Sequence, residues 1–223
     1  MHSSTRQGRI LGLLLLVQLT GLIVPFVLLR ALYAPPGFLE SAAQSAAQIR
    51  WSLLLLLTNG ALTAAISLYA HPALRPSGRV LADALIVLGA AWFILQAVDN
   101  THVRAMLALS QRSMESPGSA RETLEALGAL AASTRRTAHY TVLLMVGAWM
   151  LAFYSAIWRA RLVPPAVAAL GVLAAALHLA GVSLPVLLGY PSLLMVAPGL
   201  AVSHGVLIGW LLTKGFAAPQ AAR

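Results

Sequence analysis

Six apolar runs, at residues 10–32, 51–70, 80–98, 139–158, 164–188 and 195–213, leave this chain few ways to fold. Each is close to or above the roughly 20 residues that an α-helix needs to cross about 30 Å of hydrocarbon. In that medium the backbone must satisfy its own hydrogen bonds, so the runs are expected to be helices. A soluble core of 223 residues could not bury all six. Only 9% of the residues are charged, against about 25% in soluble domains, and the mean hydropathy is +0.82. The sequence predicts an all-α polytopic membrane protein with six transmembrane helices in a single integral domain over 1–223.

Absence of cysteine removes disulfides, thiolate metal sites and thiol catalysis. A net charge of +9 would suggest nucleic acid in a soluble protein. Here the fourteen arginines and one lysine lie at or beyond the ends of the runs, where topology and anionic lipid account for them. The expected partner is the lipid bilayer, and no nucleic acid is expected.

The first run is too long for a secretory leader and lacks an A-x-A site, so it reads as a retained span with Gln18 inside it. Trp51 and Tyr69 bracket the second span as interfacial aromatics, and His71-Pro72 is expected to break it, leaving His2 and His71 as surface histidines. Asp83 lies one turn after Arg79, as in a surface ion pair. Beyond Val98 the helical pattern runs on to Ser116-Pro117-Gly118, and Ser119-Ala-Arg-Glu122 is a capping box that opens another helix. Residues 99–138 are therefore expected to form an extramembrane helical hairpin, an outward extension between helices 3 and 4. Pro164 and Pro165 suit the first turn of the fifth span, Pro185 is expected to kink its far end, and Gly189-Tyr190-Pro191 turns into the sixth. The tail after Phe216 reads as frayed.

Arg6, Arg9, Arg75, Arg79, Arg159, Arg161, Lys214 and Arg223 fall on the N-terminal side of the membrane with almost no acids nearby. On the other side Asp99, Glu115, Glu122 and Glu125 nearly balance the arginines of the hairpin. The positive-inside rule then places both termini in the cytoplasm.

An ionisable group within a span is costly and so is a functional candidate. His204 lies ten residues before Lys214, roughly 15 Å in, and His178 fourteen after Pro164, roughly 21 Å in. Together with Asn59, Gln96 and Gln18 they are candidates for a small-molecule or proton site; Ser203 is a further polar interior residue. The competing reading makes them interhelical hydrogen-bonding groups, contributing about 0.6 to 2 kcal/mol each. Histidine is also the commonest metal ligand, so His178, His204, His102 and His139 are the candidates for haem or a divalent metal. No H-x3-H or H-E-x-x-H spacing supports that alternative, and no cofactor is expected. Asp99 and His102 are the one local acid–base pair, on one helix face. With no G-x-S-x-G and no cysteine, an enzyme is not indicated. Gly205-x-x-x-Gly209 permits close helix approach, within the chain or in a homo-oligomer, and a membrane partner docking on the hairpin is a further alternative.

Trp158-Arg-Ala-Arg-Leu-Val-Pro164 and the ending Trp210-Leu-Leu-Thr-Lys214-Gly215-Phe216 resemble an uncharacterised bacterial multi-pass membrane family, domain of unknown function 4386. The resemblance implies a six-span protein of the bacterial cytoplasmic membrane and brings no reaction with it. Two positions depart from the family pattern. An aromatic-Arg-x-x-Glu element in the third span is here Trp92-Phe93-Ile94-Leu95-Gln96, and a glutamate about ten residues before the terminal Lys-Gly is here His204. Intramembrane charges are thus replaced by neutral or switchable groups.

Overall fold

Helices make up almost all of the computed structural model, which describes residues 2–33, 37–115, 120–188 and 197–217. In order they are α1 (His2–Leu28) with a 3-10 extension Leu29–Leu32, α2 (Phe38–Ser41), α3 (Ala46–Leu74), α4 (Arg79–Glu115), α5 (Arg121–Arg159), α6 (Pro165–Leu188) and α7 (Ala197–Lys214). The predicted turns at Pro35-Pro36, Ser116-Pro117-Gly118 and Gly189-Tyr190-Pro191, the capping Ser119, the side chain of Pro185, residues 195–196 and the tail beyond 217 lie outside the described residues. Five segments among those described, Ser4–Leu32, Ala43–Ser77, Arg79–Glu115, Arg121–Arg159 and Pro165–Leu184, are long and apolar enough to cross a membrane. Their outward faces keep Leu13, Phe26, Val87 and Leu173 exposed. That surface would be a liability in water and is the natural one in lipid.

His71-Pro72 does not break the second span as expected, because α3 continues through both to Leu74. Proline so near a helix end forfeits little more than one backbone bond, which the remaining turns tolerate. Nor is His71 a free surface residue: its Nε2 lies 2.8 Å from Asp83 Oδ1, while Arg79 holds the other carboxylate oxygen at 3.5 Å.

Residue contacts divide the chain into two compact units. The first comprises Met1–Leu19, Ala61–Trp92 and Leu143–Arg223. Its core is built on Leu11, Leu15, Ile66, Leu207 and Leu211 with an aromatic ladder. Trp92 meets Trp149 edge-on at 5.8 Å, Trp149 stacks on Phe153 at 4.8 Å, and Phe153 meets Tyr154 at 5.9 Å. The Trp149 indole N–H donates to Ser67 Oγ at 2.8 Å, leaving no polar atom of the ladder's centre unpaired.

Within this unit the Lys214-Gly215-Phe216 motif has a physical cause. Gly215 ends α7 at φ +72°, the left-handed region that glycine enters without strain. It also lies so close to α1 that a Cβ there would sit 2.6 Å from the Thr5 carbonyl oxygen. Gly8 reciprocates, since a Cβ on it would stand 2.2 Å from the Phe216 backbone nitrogen. Arg9 completes the clasp by donating from Nη2 to the Thr213 carbonyl at 3.2 Å, a cation at the negative end of α7. The Trp158–Pro164 motif ends α5 in a Schellman turn, with Leu162 N–H to Ile157 O and Arg161 N–H to Trp158 O. Arg161 holds the glycine position of that turn at φ 50°.

The second unit comprises Thr20–Gly60 and Phe93–Val142. Leu29, Leu32, Ala42, Ile49, Leu53, Val103, Met106 and Leu107 form its core. Ser110 ties α2 to α4, donating to the Leu39 carbonyl and accepting from the Ala43 N–H, both at 2.9 Å. The C-terminal part of α4 is therefore packed along one side rather than bare.

Candidate functional site

The 99–138 stretch supplies the most concentrated buried charge among the described residues. Asp99 on α4 is 1% exposed and Arg135 on α5 is 6% exposed, so neither charge is solvated. Arg135 Nε lies 3.4 Å from Asp99 Oδ1. That contact is an ion pair without hydrogen-bond geometry, and both atoms lack a hydrogen-bond partner among the described residues. Asp99 Oδ2 accepts from His139 Nδ1 at 3.3 Å, with the imidazole a third exposed. A carboxylate oxygen can only accept, so Nδ1 carries the proton in this contact. Arg135 also donates from Nη1 to the Tyr33 hydroxyl and lies over the Tyr33 ring at 5.3 Å. Tyr33 sits just past the first span, where burial raises its phenol above the ordinary value and the Arg135 charge pulls it partly back. One turn before Asp99, Gln96 Nε2 donates to Asn100 Oδ1 at 3.1 Å, and Asn100 Nδ2 donates to the Leu53 carbonyl at 2.9 Å.

The other predicted residues find separate partners. In the first unit, Gln18 Nε2 donates to Thr63 Oγ1 at 2.7 Å. His204 Nδ1 lies 3.1 Å from the Tyr154 hydroxyl, and Ser203 bonds back to the Leu200 carbonyl at 2.9 Å. His178 Nε2 donates to the Leu143 carbonyl at 3.1 Å. In the second unit, Asn59 packs where α1 has no side chain, since a Cβ on Gly21 would meet its Oδ1 at 2.7 Å.

These contacts hold His178 and His204 at different levels. Their partners Leu143 and Tyr154 are eleven residues apart on α5, roughly 16 Å along the helix. Rings held at such different levels do not fit two axial haem ligands. Among the described residues no group of three or more His, Cys, Asp or Glu is placed to hold a metal ion. Asp99 and His102, which share a helix face, are not the pair that forms. Asp99 pairs across to His139 and Arg135, because a neighbouring helix brings two donors to its carboxylate where its own offers one.

Arg135 is the functional candidate that sequence reasoning missed. Arg135-Arg136 looks like a hydrophilic stretch of an exposed helix, and nothing local distinguishes the buried arginine from its neighbour. The available signal was spacing: Arg135 and His139 are one turn apart on one face, which suits a shared acidic partner. Among the described residues nothing lies within 4 Å of where a Cβ on Gly205 or Gly209 would stand.

Long apolar helices exposing aliphatic faces, with ionisable groups enclosed among them, define an all-α polytopic membrane protein. The chain belongs to the uncharacterised multi-pass membrane family described as domain of unknown function (DUF4386), which matches residues 10–215. No curated protein and no solved structure matches it.

Proposed function

We propose that this is a non-enzymatic protein of the bacterial cytoplasmic membrane that binds or passes a small species, a proton first of all, at the Asp99–Arg135–His139 cluster. The observation that carries this reading is Asp99, buried at 1% exposure and shared between a permanent cation and an imidazole open to one side. An imidazole can take a second proton on its other ring nitrogen. Protonating His139 sets a second cation against Asp99 and weakens the hold of Arg135; losing the proton restores it. The cluster is thus a two-state element that a proton or a small anion can bias. Gln96 and Asn100 extend it with neutral polar groups. Gln18, Asn59, His178 and His204 are read here as packing groups.

In this reading α7 is the sixth span, both termini are cytoplasmic, and the chain forms one integral domain. At 37 and 39 residues, α4 and α5 run roughly 55 and 58 Å, well beyond the roughly 30 Å of hydrocarbon. The excess supports an outward helical hairpin over 99–138 with the cluster at its base.

The test is proton flux into liposomes loaded with a pH-sensitive dye. The wild-type chain is expected to speed equilibration after a pH jump, and Asp99→Asn and His139→Gln to slow it at least tenfold. Wild-type vesicles as tight as empty ones, or variants as fast as wild type, would sink the proposal.

A further inference from the structure

A second charged feature lies in the first unit. A cavity of about 470 Å³ is lined by Gly78, Arg79, Val80, Leu81, Ala84 and Arg159. Two guanidiniums from different parts of the chain border it, and the rest of the lining is apolar apart from backbone. Arg159 lies over Gly78, close enough that a Cβ there would touch its Nε at 3.5 Å and its Cζ at 3.6 Å. Among the described residues Arg159 has no ion pair. Arg79 has one, to Asp83 Oδ2 at 3.5 Å, but His71 holds the other oxygen of that carboxylate more closely, at 2.8 Å.

Below the two arginines the apolar lining continues along one face of α4. Val80 is 84% exposed, and Val87, two turns on along the same face, is 67% exposed. Ala84 lies between them. Its small side chain lines the cavity and leaves space that a larger residue would take up. Positive charge above and an open aliphatic track beneath match one kind of molecule: an anionic head joined to a hydrocarbon tail. A soluble anion would use the guanidiniums and gain nothing from the track. A neutral lipid would use the track and leave Arg159 without a counter-charge.

We infer that this cavity is a binding site for an anionic phospholipid, its phosphate between Arg159 and Arg79 and an acyl chain along Val80, Ala84 and Val87. Arginine suits the role because its planar fork donates two parallel bonds to phosphate oxygens. The site is independent of the proton-binding proposal and stands if that proposal fails.

The full chain, purified in mild detergent, is titrated with phosphatidylglycerol and with phosphatidylcholine and read by native mass spectrometry. Wild type is expected to retain phosphatidylglycerol at least tenfold more tightly, with millimolar inorganic phosphate failing to displace it. Arg159→Gln should lose most of that preference, while Arg121→Gln, on the other hairpin, should keep it. Ala84→Phe fills that space while leaving both guanidiniums in place, and should also weaken retention. The assignment is overturned if Arg159→Gln binds as wild type does, if free phosphate displaces the lipid, or if Ala84→Phe changes nothing.

Discussion

Replacing Arg135 with methionine removes the guanidinium beside Asp99 while keeping most of the side-chain volume. At 3.4 Å and an effective dielectric of about 20, the gross attraction between the two charges is about 5 kcal/mol. The net loss is set by what remains, a carboxylate at 1% exposure facing only an imidazole. Breaking one side of a buried pair costs about 3 to 5 kcal/mol. For a chain of this size that corresponds to a fall in melting temperature of roughly 6 to 20 °C. The double variant Asp99→Asn with Arg135→Met removes both charges and should recover most of the loss, since neutral replacements of buried pairs are often near neutral in stability. Thermal unfolding of wild type, both single variants and the double variant in one detergent closes the cycle. A single Arg135→Met change within about 0.5 kcal/mol of wild type would show that water reaches the pair. A double variant no better than the single would show that packing, not charge, is what Arg135 supplies.

Gly171→Ala should destabilise by about 1 to 3 kcal/mol and disturb the Tyr154–His204 contact, because its Cβ would lie 2.0 Å from the Tyr154 ring; melting temperature and tyrosine fluorescence report both effects. Gly8→Ala should be worse tolerated still, since its Cβ would meet backbone rather than a movable side chain, whereas Ala at Gly205 or Gly209 should be neutral or raise the melting temperature. Arg161→Gly should stabilise by about 1 kcal/mol by relieving a left-handed arginine, measurable in the same melts. Ultraviolet titration should find the Tyr33 phenol above 10, and higher again in Arg135→Met, where the lowering charge is gone. Because the folded state favours protonated Tyr33, its contribution to stability is complete below pH 10 and is lost as pH rises through the folded value.

The spans were legible because a bilayer allows so few solutions. A run of apolar residues long enough to cross it must be a helix, and the runs beginning at Ile10 and Val80 needed no tertiary knowledge. The ends were less legible. Pro72 looks like a breaker in sequence, yet a proline two residues from the close of α3 costs too little to stop it. Site residues were the hardest, because hydrogen-bond partners are chosen across helices and sequence shows only neighbours along one. His139 was visible as an ionisable residue at a span end, but its tie to Asp99 spans forty positions. Arg135 had every local mark of a solvated arginine. His178 and His204 drew attention because they are ionisable in apolar runs, and the partners of one ring nitrogen of each, a backbone carbonyl and a phenol, are not conspicuous in sequence.

The contact between Gly8 and Phe216 also sets an order of events during synthesis. The first helix emerges roughly 200 residues before the segment it clasps, and at ordinary translation rates the interval is roughly 10 to 40 s. Throughout that time Gly8 lacks the Gly215–Phe216 backbone that it packs against. A chain halted before residue 215 lacks the partner of that contact. Closure of the clasp is then a checkpoint, the step at which the earliest helix is committed by the arrival of the latest.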